Sequence, residues 1–160
     1  MAKVFLLCGK VCSGKTVYAH KLCNAKKACL LSVDEETLNV TETEQGTDSD
    51  EQVRIIKLKQ LNRSLKLISK GKNVVLDWGF WTKRERKSVK EFYKENSIDL
   101  ELHYICISDD LWNRRIDMRN ALVLSKNTKA YFVDAGLKDK CKAMFEEPLP
   151  NEVDLIIYEE

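Results

Sequence analysis

A chain of 160 residues, 44% apolar and 32% charged, is sized for a single domain, 1–160, with a full hydrophobic core and the composition of an ordinary soluble protein. Its net charge of +2 is too small to argue for a nucleic-acid partner. No apolar stretch reaches the roughly 18 to 20 residues of a membrane span, and the start lacks the cleavage pattern of a signal peptide, so a cytoplasmic location is expected.

In chain order, residues 4–7 form the first strand candidate. They run into Gly9, Lys10, Val11, Cys12, Ser13, Gly14, Lys15 and Thr16, which fits G-x-x-x-x-G-K-[ST] at every fixed position, the Walker A phosphate-binding loop. A helix is expected from Ser13 or Gly14, with Tyr18 and Leu22 on its core side. Residues 27–33 make a second strand that ends at Asp34. Residues 39–50 have almost no apolar content and read as a loop, and Ser49 with Gln52 makes a capping box that opens the next helix. Ile55, Leu58, Leu61, Leu65 and Ile68 mark an apolar stripe on that helix, and Gly71 stops it.

Residues 73–76 are the third strand, again ending on a carboxylate, Asp77. The DWGFW segment that follows starts as a loop and becomes a helix offering Val89, Phe92 and Tyr93 to the core. Residues 100–107 form a fourth strand. Ser108 can cap a helix whose first turn holds Asp109 and Asp110, with Arg114, Arg115 and Arg119 farther along. Residues 120–127 read as a turn or short lid, and the lid as a whole spans roughly 115–130. A helix is expected over 131–145, a break over 146–151, and a fifth strand over 153–157. Strands alternating with helices predict an α/β fold, a parallel sheet covered on both faces. Ligands bind such sheets at the carboxyl ends of strands. The phosphate loop, Asp34 and Asp77 therefore face one crevice.

The residue types in that crevice define a chemistry. Gly9 and Gly14 let backbone N–H groups converge on phosphate oxygens. Lys15 can reach the β and γ phosphates, the helix start adds its positive dipole end, and the Thr16 hydroxyl can sit on Mg2+. Asp77 has the form of a Walker B carboxylate holding that metal, or else caps a strand-end turn. Asp34 is either a carboxylate that takes or orients an acceptor proton or a helix cap. Arg115 and Arg119, four residues apart, share one helix face and are either solvated or placed to neutralise charge on a transferring phosphoryl group. Trp78, Phe80 and Trp81 line an apolar acceptor pocket or belong to the core. Arg84 and Arg86 contact acceptor or phosphate only if their loop folds over the crevice.

The remaining polar residues point to less. The six cysteines include no C-x-x-C pair and read as reduced thiols; Cys12, inside the phosphate loop, is either a small residue that fits there or a thiol placed for a redox role. His20 and His103 have no partner at metal-ligand spacing. Residues 34–51 hold eight carboxylates and no Lys or Arg, whereas 54–90 hold twelve basic residues. A solvated helix face accounts for most of the basic run, and the acidic stretch argues against polyanion binding at its edge.

GKVCSGKT, LLSVDE, VVLDWGFWTKRER, ELHYICISDDLWNRRIDMRN and FEEPLPNEVDLI together resemble the P-loop kinase group that includes phage-type polynucleotide kinase, zeta toxins, chloramphenicol phosphotransferase and gluconate kinase. Within that group the chain looks more closely like the small stand-alone bacterial AAA-type ATP-binding proteins. The resemblance implies a three-layer P-loop NTPase fold with a five-stranded sheet in the order 2-3-1-4-5. It also implies Asp34 as acceptor-side base, Asp77 near Mg2+, Arg115 or Arg119 in the lid, and the FEEP segment leading back towards the nucleotide. Adenine contacts are expected after the fifth strand.

The leading expectation is an ATP- and Mg2+-dependent phosphotransferase acting on a hydroxyl of an unidentified small molecule, with nucleic acid ranked lower as acceptor. A nucleotide-dependent NTPase or switch and a non-catalytic ATP-binding module are the alternatives. Guanine specificity is disfavoured, because Asn127, Thr128, Lys129 and Ala130 do not form N-K-x-D.

Overall fold

The computed structural model describes residues 1–41, 49–126 and 132–160. Five strands, β1 (Val4–Cys8), β2 (Ala28–Ser32), β3 (Asn73–Gly79), β4 (Leu100–Cys106) and β5 (Leu155–Tyr158), alternate with helices. The helices are α1 (Lys15–Lys26), α2 (Val33–Thr41), α3 (Ser49–Ser69), α4 (Lys83–Glu95), α5 (Asp109–Leu124) and α6 (Ala135–Met144), and a 3-10 turn covers Pro150–Glu152. The strands lie in the order β2-β3-β1-β4-β5, and every pairing is parallel. This is the expected α/β sheet of P-loop NTPases.

Alternation along β1 shows why both faces are covered. Val4, Leu6 and Cys8 pack with Leu31, Leu76, Leu102, Val89 and Tyr93, under α3 and α4. Phe5 and Leu7 pack instead with Ala19 and Leu22 of α1. A third cluster joins Val11 of the phosphate loop to Ile107, Trp112, Ile116, Val133 and Cys141. Through it, α5 and α6 brace the loop at the carboxyl end of the sheet. Burial at this depth pushes the Cys8 thiol up to about 12, which removes it from thiolate chemistry.

Several boundaries differ from the sequence expectation for physical reasons. β3 continues to Gly79, so Asp77 lies inside the strand. Its pairing with β1 is irregular: Leu7 opposes Asp77 but Cys8 opposes Gly79, and Gly79 takes a φ of 84°. The first part of the expected loop over 39–50 is helical, because α2 runs to Thr41; residues 42–48 lie outside the described residues. The turn expected at 120–127 is likewise helical as far as Leu124. Ser125 and Lys126 then form a turn, as expected, and residues 127–130 of the expected turn and lid lie outside the described residues. Asp134, whose side chain accepts from the Leu137 N–H, caps α6 and moves that helix start from the expected 131.

The predicted stripe on α3 holds in its second half, where Leu61, Leu65 and Ile68 pack against the core, and is rotated in its first. Ile55 and Leu58 are 39% and 49% exposed, while Gln52, Ile56, Gln60 and Ser64 are buried. These four stand at strict i, i+4 spacing, a polar stripe that an apolar count cannot find. Ser64 shares a 2.7 Å hydrogen bond with the Tyr93 hydroxyl, which compensates its burial. No helix among the described residues is long and apolar enough to cross a membrane.

Candidate active site

The phosphate loop is held at both ends and from beside. The Gly9 N–H donates to the Gly79 carbonyl at 2.9 Å and the Ser13 N–H to the Lys10 carbonyl at 3.2 Å. The Trp112 indole donates to the Val11 carbonyl at 2.6 Å, and the Lys10 ammonium stands 4.7 Å over the same ring. A Cβ on Gly9 would lie 2.8 Å from Ser13 Oγ and 3.1 Å from the Ile105 carbonyl, so the loop can pass over β4 only without a side chain there. Gly14 adopts a φ of 98° and starts α1 with no side-chain cap. The first-turn amides of α1 therefore have no side-chain acceptor from their cap, the condition for binding an anion. The Lys15 ammonium donates to the Lys10 carbonyl at 2.9 Å, lying along the cradle.

Two carboxylates flank this loop in different environments. Asp77 is 6% exposed and accepts from the Thr16 hydroxyl at 3.1 Å. Burial pushes its carboxyl above the usual range, against the pull of the Lys15 charge and with a further push from Asp34. Thr16 and Asp77 thus offer two adjacent oxygen donors, a set that suits Mg2+, which keeps waters and phosphate oxygens for its other positions. Asp34 sits in the first turn of α2, and its carboxylate makes no hydrogen bond or ion pair with any described residue. The capping role belongs to Ser32, whose Oγ accepts from the Glu35 N–H at 3.3 Å.

A cavity of about 340 Å3 joins Asp34 to the loop: Ser13, Lys15, Thr16, Asp34, Arg115 and Arg119 are on its wall, with Val11, Cys12, Gly14 and Val17 completing it, whereas Asp77 does not line it. Arg115 donates to the Ser13 carbonyl at 3.0 Å and to the Glu159 carboxylate at 2.7 Å. The pair lies directly over Gly14, where a Cβ would be 2.9 Å from the guanidinium. Arg119 donates to Cys12 Sγ at 3.1 Å. Cys12 takes a φ of 58°. A larger cavity, about 600 Å3, is lined by Lys10, Tyr104, Asp109, Lys142 and Phe145 among others; it contains neither Lys15 nor either carboxylate, and size alone does not make it the reaction site.

Other candidates turn out to be structural. Phe80 is fully buried and stacks on Trp78, whose indole donates to Gln60, while Trp81 packs beside the α5–α6 cluster. The three aromatics are divided between two cores. Arg86 is buried and bonded to the Phe80 and Trp81 carbonyls and to Glu152, away from the phosphate cavity, and Arg84 does not line that cavity. His103 is a buried network residue, bonded to the Tyr18 hydroxyl and Glu101, and no metal-binding group of three His, Cys, Asp or Glu occurs among the described residues. Sequence reasoning missed Glu159 and Gln60. The only signal for Gln60 was a long polar side chain four residues from Ile56 and Ser64, which are themselves buried.

Residues 4–148 match the AAA domain family AAA_33. No curated protein matches the sequence. The fold is shared with Kti12 from Chaetomium thermophilum, solved with ADP-AlF3 (TM-score 0.70, 14% identity, 98% of this chain and 88% of that one). It is also shared with the Mycobacterium tuberculosis APS kinase, solved with AMPPNP and APS (TM-score 0.63, 15% identity, 99% and 89%). A gluconokinase from Sinorhizobium meliloti aligns at a TM-score of 0.60 (15% identity, 98% and 81%). With the phosphate loop built as described and its match running across nearly the whole chain, this protein belongs to the AAA_33 family of AAA domains and has the fold of the P-loop kinases.

Proposed function

We propose that the protein is a Mg2+- and ATP-dependent phosphotransferase that moves the γ-phosphate to a hydroxyl of a small molecule. The observation that carries this reading is Asp34, a carboxylate with no polar partner among the described residues, on the wall of the cavity that also holds Lys15, Thr16, Arg115 and Arg119. A residue kept only for capping would be bonded to the helix start, and that bond is made by Ser32.

The residues divide the work. The amides of Gly9 to Thr16 cradle the phosphates, and Lys15 leaves the Lys10 carbonyl to meet the β and γ oxygens. Thr16 and Asp77 would hold Mg2+, which supplies charge neutralisation on the phosphate oxygens when bound. Asp34 accepts a hydrogen bond from the acceptor hydroxyl, aligning it and receiving its proton as the new bond forms. Arg119, and Arg115 once released from Glu159, face the charge on the transferring group. ATP is favoured as donor, since the sequence lacks the guanine-reading motif, and the nucleotide complexes of the APS kinase and Kti12 structures support nucleotide use in this fold.

The test is ADP formation from Mg·ATP over a panel of hydroxylated metabolites, antibiotics, nucleosides and oligonucleotides, with wild type and Asp34→Asn. The kinase reading expects one acceptor to raise turnover above the acceptor-free blank, and Asp34→Asn to abolish that increment while nucleotide affinity is kept. Hydrolysis of ATP that no acceptor stimulates, unaffected by Asp34→Asn, would instead establish an NTPase or switch.

A further inference from the structure

Gln60 ties the chain on both sides of Asp34 to the strand that carries Asp77. Its side chain, 1% exposed, projects from the middle of α3. Nε2 donates to the Ser32 carbonyl at 3.1 Å and to Glu36 Oε1 at 2.8 Å. Oε1 accepts from the Trp78 indole at 2.6 Å. Ser32 and Glu36 stand two residues before and two residues after Asp34, and Trp78 directly follows Asp77. One amide therefore brackets Asp34 from both sides and fastens that bracket to β3 next to Asp77.

We infer that Gln60 is a positioning residue, which sets Asp34 against Asp77 and the phosphate loop for phosphoryl transfer; this rests on the phosphotransferase reading above. Three features carry it. Both amide hydrogens are used, so the side chain has a single arrangement rather than a choice of partners. Asp34 itself has no bond among the described residues to fix its place, so its position depends on its neighbours in sequence. Also, Ser32 lies opposite Asp77 in the β2–β3 register, so the amide spans two strand ends that are already adjacent and fixes how the chain leaves them. A buried glutamine costs desolvation unless fully bonded, and a leucine or methionine at this position would fill the volume without the three bonds. Gln60 does not line the phosphate cavity and acts through Asp34.

The experiment uses the full chain and Gln60→Met. Turnover with Mg·ATP and the acceptor found by the panel, kcat for that acceptor, nucleotide affinity by fluorescent ATP-analogue titration, and Tm are measured together. Displacement of an aligning group by a fraction of an ångström to an ångström costs on the order of 10- to 100-fold in rate. The expected result is a fall of that order in kcat with nucleotide affinity within about twofold of wild type. In the Gln60→Met background, Asp34→Asn should cost less than it does in wild type, by about the factor that Gln60→Met itself removes, because both changes act on one function. Glu36→Gln, which keeps an acceptor oxygen, should retain activity, and Glu36→Met should not. The proposal is overturned if Gln60→Met leaves kcat within about threefold, if nucleotide affinity falls in step with kcat, or if Asp34→Asn costs its full factor in both backgrounds. Should Gln60→Met fail to fold, Trp78→Phe and Glu36→Met each remove one of the three bonds from the partner's side, and unchanged kcat in both overturns it equally. Absence of turnover in the wild-type chain overturns the phosphotransferase reading itself and is seen before any substitution is made.

Discussion

Replacing Arg86 with methionine separates structural support from chemistry in the segment after β3. The guanidinium is 1% exposed. It donates through Nη1 to the Phe80 carbonyl at 2.9 Å and the Trp81 carbonyl at 3.3 Å, and through Nε to Glu152 at 3.3 Å. Methionine keeps the apolar stem but removes one donor from each acceptor, leaving the Phe80 carbonyl with the Cys8 thiol, the Trp81 carbonyl with the Glu146 N–H and Glu152 with the Leu149 N–H. Removing one member of a buried pair costs roughly 3–5 kcal/mol. A domain of 160 residues has a melting entropy of about 0.34 kcal/mol per kelvin, so the Tm should fall by about 9–15 °C. Burial alone would raise the Glu152 carboxyl, but the Leu149 N–H and Arg86 outweigh it and hold it below the usual range. A lowered carboxyl contributes stability that is complete above its unfolded value, about 4.3, and is lost as pH falls through the folded one. The gap in Tm between wild type and Arg86→Met should therefore stay constant from neutral pH down to about 5 and narrow only in more acidic buffer. Calorimetry across that range, with nucleotide titration well below the transition, reads both quantities. Nucleotide affinity should change less than about twofold, since Arg86 lies outside the phosphate cavity. A Tm loss under about 3 °C, or lost affinity with Tm retained, would refute the reasoning and return Arg86 to the phosphate site.

Three further substitutions probe the loop and its carboxylate. Burial raises the Asp77 carboxyl, so its ionised form weakens the nucleotide-free fold above the folded value and the penalty vanishes below the unfolded one, about 3.9. Asp77→Asn should then raise Tm at pH 7 to 8, with the gain shrinking towards pH 4, and should remove any dependence of nucleotide stabilisation on added Mg2+; both are read by thermal shift. Gly14→Ala forces a side chain into φ 98° and to 2.9 Å from Arg115, so stability should drop by more than about 1 kcal/mol in urea unfolding, with nucleotide affinity at least tenfold weaker. Trp112→Phe leaves the Val11 carbonyl without its 2.6 Å donor, a loss of about 1–3 kcal/mol that chemical denaturation should resolve, together with weaker nucleotide binding.

Local pattern carried the phosphate loop, because eight consecutive residues contain both the conformational requirement and the chemistry. It carried the strand order only through resemblance to a family, since pairing between β2 and β3 or β1 and β4 is a long-range choice that no single segment encodes. It failed where burial depends on a partner. The α3 stripe of Gln52, Ile56, Gln60 and Ser64 reads as three-quarters polar, yet it is buried, because Ser32, Glu36, Trp78 and Tyr93 supply hydrogen bonds to Gln60 and Ser64. Arg86 reads as a solvated or phosphate-binding cation, and the Glu152 carboxylate and two carbonyls 66 to 5 residues away in sequence draw it inside.

The sequence by itself determined the phosphate cradle, the alternation of strands with helices and the carboxylates near the ends of the second and third strands, since each depends on neighbours within a few residues. Tertiary structure alone decided which residue caps α2, that Arg115 is held by Glu159 over Gly14, and that Gln60 joins the start of α2, which carries Asp34, to β3, which carries Asp77. Those outcomes depend on which distant donor meets which acceptor once water is excluded, and a one-dimensional pattern carries no record of that pairing.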